Sequence, residues 1–480
     1  DLGGGGLTCA VSEMCSKGGT GAELDLDCIH MREANMTPYE ILLSESQERM
    51  LLAVDPDGLE AACEPFRKFE VSHAVVGRVT GSGRLVARWK GQVVVDLPAV
   101  LITSCPEPPR FALRPKYADA LRSLRLPREP DDLTDAVLRV VSSPNLASKG
   151  WIYRQYDHEV GIATVLKPGD GDAAVLRILE TNRGVAVKGD CNTLHSYLDP
   201  FHGAAGALVE TVRNVVAVGG RPLAYTDGCN FGNPEKPDVF WQFSESIRGL
   251  AYAGRGLNVP CVGGNVSFYN DDEETGQSVK PVTVVIAVGV IDDLEHTTSM
   301  ALKTTRGAIL VLGETLPELG GSEYLHAVHG LVQGSPPKVR LRQERAAHAV
   351  AAEAINAGLV EAVHDCSKGG LAAALALMAA KGRRGLSVEM TRVPQRGIRR
   401  MDELLFSESH SRFVVETSME DSARVLKIAK RMRCPAAIVG GTLDRETYAI
   451  VRRGKPVVEC SIKELESGWS RTLPEAMGDM

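Results

Sequence analysis

The sequence predicts a mixed α/β chain in which one architectural unit occurs twice. Helical-period runs alternate with short apolar, strand-like runs across most of the 480 residues. Two motifs also recur in the same order. DLGGGGL at residues 1–7 matches DCSKGGL at 365–371, and LLSESQ at 42–47 matches LFSESH at 405–410. The offsets are 364 for the first motif (1 to 365) and 363 for the second (42 to 405), so the spacing is kept almost to the residue. The second copy is preceded by the apparent domain that starts near residue 151, whereas nothing precedes the first. The expectation is therefore an N-terminally truncated copy of a tandem-duplicated protein.

Composition sets outer limits. With 44% hydrophobic and 24% charged residues, the chain has the make-up of an ordinary globular protein. A net charge of −7 gives no electrostatic reason to expect nucleic acid or an anionic membrane as partner. No apolar run approaches the length of a membrane span, and no signal-peptide pattern opens the chain. Eleven cysteines without a C-x-x-C pair point to reduced thiols rather than a disulfide framework or zinc site, and to a cytoplasmic protein.

The elements follow in order. Residues 1–105 read as part of an α/β lobe. The glycine run should be a loop entering a helix at Leu7–Lys17, whose N-terminal amides and dipole favour an anion. Asp1 is then a metal ligand beside a phosphate, or a simple N-cap. Ser44–Arg49 is a dense polar insert between apolar, strand-like runs at Ile41–Leu43 and Met50–Val54. Burying it would be costly without partners, so it reads as a ligand-facing turn. His73–Val79 and Gln92–Leu97 close the lobe as strands. Residues 106–150 read as a Pro-rich linker and domain entry.

Residues 151–305 form the next domain, built around Lys188–Asn270. Gly203–Val218 is a helix whose apolar face carries Leu208, Val212, Val215 and Val216. Glu210 and Asn214, four apart, present oxygens on one face, as a hard cation such as Mg2+ requires. The strand Leu223–Thr226 delivers Asp227 and Gly228 into a loop. A second apolar run, Val259–Val262, opens into Gly263-Gly264-Asn265-Val266-Ser267, where glycines let backbone amides approach a phosphate. Val282–Ile291 is a long strand near the domain end. Residues 306–480 form the last lobe. It has a strand at Ala308–Leu312, helices at Gln343–Ala357, Leu371–Ala380 and Met419–Met432, and a strand-rich end at Ala436–Val451. His195, His202 and His364 read as structural, and no nucleophile–base pairing can be argued from spacing.

TDGCNFGNPEKP, WQFSESIRGL, PCVGGNVSFYN and LLSESQERMLL resemble formylglycinamide ribonucleotide amidotransferases (phosphoribosylformylglycinamidine synthases, synthetase subunit) from residue 1 to about 450. The resemblance implies tandem domains like those of aminoimidazole ribonucleotide synthetase, with sheets paired across a pseudo-twofold and flanked by α/β lobes. It implies an ATP-dependent C–N ligase of purine biosynthesis that converts formylglycinamide ribonucleotide to the amidine. Mg2+ and ATP are implied, with ammonia delivered by a glutaminase subunit and a small accessory subunit; the chain itself has nothing like a glutaminase nucleophile elbow. By resemblance, Asp1 and Asn265 bind Mg2+, and Glu45, Ser46, Gln47 and Ser267 contact the ribonucleotide. Asp227 and Gly264 contact ATP. Asp190, Glu210, Asn214 and Asp365 belong to a second, pseudo-symmetric nucleotide and Mg2+ site. The family's catalytic histidine would lie upstream of residue 1. Two alternatives remain open at this point. One is a sister enzyme of the aminoimidazole ribonucleotide synthetase, selenophosphate or thiamine-phosphate kinase type, which the tandem repeat disfavours. The other is a non-catalytic nucleotide-binding scaffold.

Overall fold

The computed structural model describes residues 1–104 and 108–479. The chain divides into two compact units, Asp1–Pro109 and Arg110–Met480. In the first, the helix Gly6–Gly18 lies on a four-stranded sheet. The strand order is Gly77–Thr80, Gly21–Asp25, Arg84–Trp89 and Gln92–Pro98. Leu7, Val11, Leu24, Leu26, Leu85 and Ala87 fill the space between helix and sheet.

The second unit holds two sheets. Six strands run in the order Thr164–Leu166, Ala174–Arg177, Gly184–Asp190, Val282–Ile291, Arg221–Asn230, Cys261–Ser267. The helices Pro200–Ala217 and Pro237–Leu257 pack side by side against this sheet's buried face. The other sheet has seven strands: Ala362–Asp365, Phe413–Thr417, Ala308–Leu312, Ala436–Leu443, Gly385–Glu389, Thr447–Arg452, Lys455–Ser461. Gly370–Gly382, a helix of Ala, Leu and Met with no polar stripe, sits in one of its cores together with Leu133–Val141. Leu341–Asn356 and Met419–Arg431 supply the other core. Pro200–Ala217 contributes Leu208, Val212 and Val215 to the first sheet's core, and Val216 and Ala217 to a core of the second. Being shared by two cores explains why a helix with a charged residue in mid-length is buried almost throughout.

The repeat is carried into three dimensions. Gly6–Gly18 matches Gly370–Gly382, and Gly21–Asp25 matches Gly385–Glu389, each at offset 364. The order of the four strands in the first unit is that of the last four in the seven-stranded sheet. Even the register is kept: Ala22 faces Leu85 in a parallel pair, as Leu386 faces Tyr448.

Five expectations are corrected. Ile41–Leu43 is the end of a helix, Pro38–Leu43, started by a Thr37–Glu40 capping box, and is not a strand. Met50–Val54 is irregular and largely exposed. Its counterpart Phe413–Thr417 is a strand because Ala308–Leu312 and Ala362–Asp365 flank it, and no described residues of the first unit take those places. The strand placed at His73–Val79 begins at Gly77. Asp227 and Gly228 lie within a strand that runs on to Asn230, and residues 263–267 are also strand, not loop. The region read as a linker contains helices at Lys116–Arg122 and Leu133–Val141, and Ala136, Val137, Val140 and Val141 are core residues. The start of that region, at Pro106, falls outside the described residues.

Candidate functional site

Strand register sets out one part of the site as a row. Asp190 and Asp227 flank the same residue, Val285, from either side, and Gly264 pairs with Asp227. Val285 is buried beneath the helices, so alternation along the strands turns this row toward them. Asn265 and Ser267 have the opposite parity and belong to the other face of the sheet. The structure therefore separates Asp227 and Gly264 from Asn265 and Ser267. Two thiols fix Asp227: Cys229 Sγ donates to Oδ2 at 3.2 Å and Cys261 Sγ to Oδ1 at 3.3 Å.

Asp190, Glu210, Asn214 and Asp365 come together around an arginine that the sequence reading passed over. Arg213 is fully buried. Its guanidinium grips Asp365 through Nε and through Nη2 at 3.3 Å, and donates from Nη1 to Glu344 at 3.0 Å. Asn214 donates to Asp365 Oδ2 at 3.3 Å and to the Glu210 carbonyl at 2.6 Å, which leaves its amide oxygen as the group available to a ligand. Asp172 closes the network, accepting from the Asp365 N–H at 2.6 Å and meeting His364 Nδ1 at 2.5 Å.

The electrostatics follow from this crowding. Burial pushes the Glu210 carboxyl well above the usual range, and the neighbouring Asp190 and Asp365 carboxylates push it further. Asp365 is also raised, because burial and Asp172 outweigh Arg213. Burial works against Lys188, but Asp190, Asp172 and Glu210 hold its ammonium on. Burial works against protonated His364 too, and Asp172 overcomes it, so its pKa is raised. Glu344 is the contrast: burial would raise it, yet Arg213 and the His348 ring, whose Nε2 stands 3.1 Å from Oε2, hold it down at about 2.

Beside this network lies the glycine loop that leads into the helix Gly370–Gly382. Gly369 and Gly370 have φ of +77° and +69°. A Cβ on Gly370 would lie 2.7 Å from the Leu405 carbonyl oxygen, so both conformation and space call for glycine. Glu408 Oε1 accepts the Gly369 N–H at 2.8 Å and the Glu323 N–H at 2.7 Å, while His195 Nε2 stands 3.3 Å from Oε2. A cavity of about 150 Å3 opens here, lined among others by Lys368, Glu408, Asn192 and Cys191. Lys368 is held protonated against burial by Asp190, Glu210, Glu408 and Glu323, which ties the cavity to the acidic group.

The first unit repeats the device. Asp1 Oδ1 accepts the Gly3 N–H at 2.9 Å, and Glu45 Oε1 accepts the Gly5 N–H at 2.6 Å. Gln47 donates to the carbonyls of Gly3 at 3.1 Å and Glu45 at 2.9 Å, so three of the four residues assigned here form one cluster. Ser46 lies beside it, its hydroxyl 3.1 Å from that of Ser44. Arg49 clamps the polar insert by donating to the carbonyls of Ser44 and Ser46 at 2.6 and 3.0 Å. Arg412 does the same to Ser407 and Ser409 at 2.7 and 2.8 Å. Reading by motif missed Asp172, Lys188, Arg213, Glu344 and Lys368. A charged residue inside an apolar helical run was the one signal for Arg213. Among the described residues no three His, Cys, Asp or Glu side chains converge as a ready-made metal cage, and no helix is long and apolar enough to cross a membrane.

A lobe with a glycine-loop helix that occurs twice, together with a six-stranded sheet that carries an acidic row, defines a class. Residues 170–291 match the N-terminal domain, and residues 1–90 and 305–452 the C-terminal domain, of the family described as AIR synthase related protein. The chain belongs to that family. Among its relatives is phosphoribosylformylglycinamidine synthase subunit PurL of Methanothermobacter thermautotrophicus, 46% identical over 93% of this chain and 61% of the relative. The PurL subunit of Ignicoccus hospitalis is 46% identical over 98% and 65%, and that of Moorella thermoacetica 42% over 99% and 64%. The resemblance read from the motifs therefore holds. The chain spans about 61% of the first of these relatives. A solved structure of T. maritima PurL complexed with ADP aligns with a TM-score of 0.64 at 23% identity, over 92% of this chain and 63% of that one. Another, complexed with FGAR, aligns at 0.60 and 23% over 71% and 54%. These two share the fold of tandem AIR-synthase-like domains.

Proposed function

We propose that this chain takes part in the ATP-dependent conversion of formylglycinamide ribonucleotide (FGAR) to its amidine in purine biosynthesis, the activity its 40–46% identical relatives are named for. The supporting observation is the glycine loop before Gly370–Gly382, with Lys368 and the Asp190–Glu210–Asn214 group beside it. A helix N-terminus, a lysine and paired oxygen ligands suit a nucleotide phosphate and a hard cation. Glu210 favours the fit to Mg2+. A carboxyl whose pKa is raised by burial and by neighbouring carboxylates gains when a cation replaces the proton. Mg2+ usually takes one or two carboxylates together with waters and phosphate oxygens, so a three-ligand cage is not required. Asp190, Glu210 and the Asn214 amide oxygen would hold it at this site, and Asp1 and Asn265 are each proposed as a further Mg2+ ligand. Bound there, the ion would neutralise charge on phosphate oxygens.

In this reaction the glycinamide carbonyl oxygen of FGAR attacks the γ-phosphorus of ATP and ADP leaves. Ammonia then adds to the activated carbon and phosphate departs, giving the amidine. The assigned residues bind and orient: Glu45, Ser46, Gln47 and Ser267 the ribonucleotide, Asp227 and Gly264 the ATP, with Cys229 and Cys261 fixing the Asp227 carboxylate. The lobes 1–105, 151–305 and 306–480 are the proposed domains. A glutaminase subunit and a small accessory subunit are the proposed sources of ammonia, in the cytoplasm; one similar structure is entitled PurLQS rather than PurL.

The test is calorimetric titration of the chain with FGAR, with and without a Mg2+-bound non-hydrolysable ATP analogue, beside ammonia-dependent ADP release. Saturable FGAR binding that Ser267→Ala weakens more than it weakens nucleotide binding is the expected result. Nucleotide binding without any FGAR binding would assign the chain to another substrate.

A further inference from the structure

We propose that the last lobe carries a separate ligand pocket for a phosphate monoester with a flat apolar body, of the size and chemistry of a nucleoside monophosphate. It does not rest on the function proposed above. A cavity of about 530 Å3 opens between the first turns of Leu341–Asn356 and the turn that follows Met419–Arg431. None of its lining residues lines the smaller cavity beside Lys368. Small-molecule sites fall in this size range, with mostly apolar walls and a few placed polar groups.

The walls fit that description. Ala346, Ala349, Met432 and Pro435 give an apolar surface, and the flexible methionine thioether adapts to a ring face. Arg342, Arg345 and Arg433 stand around it. The guanidiniums of Arg342 and Arg433 are exposed and have no hydrogen-bond or acidic partner among the described residues. Arg345 donates to the Gly256 carbonyl at 3.1 Å. The carboxylate in the lining, Glu314, is already paired with Arg396 at 3.0 Å. Three guanidiniums with one carboxylate among them, itself paired with Arg396, beside the positive end of a 16-residue helix, suit an anion. Because Glu314 is engaged, nothing in the lining offers a free carboxylate to a divalent cation. That favours a metal-free monoester over a Mg2+-bound di- or triphosphate. The charge is particular to this lobe, since Glu70 occupies the position of Arg433 at offset 363 in the first unit, with φ of 55° against 56°.

The experiment is titration calorimetry of the 480-residue chain with AMP in the absence of Mg2+, beside adenosine and inorganic phosphate as separate probes. In parallel, phenylglyoxal modification of arginines is read by peptide mass spectrometry with and without AMP. AMP should bind saturably, and each half-molecule should bind at least about tenfold more weakly, since each keeps half of the contacts. Arg342→Ala/Arg433→Ala should raise the AMP Kd at least about tenfold, whereas Lys368→Ala should leave it within about twofold. AMP should also protect Arg342 and Arg433 from phenylglyoxal in the wild-type chain, a readout that does not depend on how the variant folds. Three results would each overturn the proposal: no saturable AMP binding, phosphate binding as tightly as AMP, or binding lost in Lys368→Ala and kept in the double variant. Loss of Lys368→Ala binding to MgADP with AMP binding intact would separate this pocket from the proposed nucleotide site.

Discussion

Replacing Arg213 by methionine keeps most of the side-chain volume and removes the charge that two buried carboxylates depend on. Arg213, Asp365 and Glu344 are all essentially without solvent exposure, at 0, 2 and 0%. Taking one partner out of a buried ion cluster leaves uncompensated charge and costs about 3–5 kcal/mol. The unit Arg110–Met480 has 371 residues (480 − 110 + 1), and at about 2.1 cal/mol/K per residue its unfolding entropy is about 0.8 kcal/mol/K. The melting temperature of that unit should then fall by about 4–6 °C, measured by differential scanning calorimetry. The triple variant Arg213→Met/Asp365→Asn/Glu344→Gln should recover at least half of the loss, because the stranded charges go with the arginine. A fall of less than about 1 °C in the single variant, or a triple variant no better than the single, would refute the claim that charge balance inside this cluster holds the unit together.

Four further outcomes are expected. Glu210→Gln should raise thermal stability at pH 7 while weakening MgADP binding: a carboxyl whose folded pKa is raised opposes folding once it ionises, and the amide removes that opposition along with a cation ligand. Glu344, held at about 2, contributes stability that is fully present above its ordinary value of 4.5 and lost as pH falls through about 2; acid melting curves of wild type and Glu344→Gln should therefore differ at neutral pH and converge only as pH falls to about 2. His364 has a raised pKa, so its contribution is present below 6.5 and lost as pH rises through the folded value; the alkaline side of the stability profile should flatten in His364→Gln. Gly369→Ala forces a Cβ to within 2.6 Å of the Ala373 Cβ at φ +77°, and should cost at least about 1 kcal/mol by denaturant titration and weaken MgADP binding.

The parts of this molecule legible in sequence were those whose cause is local. The helix Gly370–Gly382 could be read from a glycine run followed by Ala and Leu, its twin Gly6–Gly18 from the matching glycine run, and the repeat from spacing alone. Local evidence misled where the ladder decides. Gly228, Cys229 and Asn230 look like a turn, but Val282–Val284 pairs with them and extends the strand. Met50–Val54 has strand composition and no described strand to pair with. Arg213 sits between Val212 and Asn214, where a charge normally marks a solvated face. Its acidic partners are 131 and 152 residues away, beyond the reach of any periodicity. Lys368 went unread because its position in the first copy is Gly4, which made it look like filler in a glycine motif.

The same glutamate–glycine hydrogen bond stands in both copies, Glu45 to Gly5 and Glu408 to Gly369. Each loop thus arrives with a tethered anion already seated on one of its amides. A phosphate reaching for that amide competes with a carboxylate that never diffuses away, and its apparent affinity is lowered by the fraction of time the tether is home. An incoming ligand that instead leaves the tether in place must use the neighbouring amides and, in the second copy, Lys368. The first copy has glycine there and so keeps no cation of its own at that position. Two loops of one backbone shape are in this way set to different thresholds for the same kind of guest.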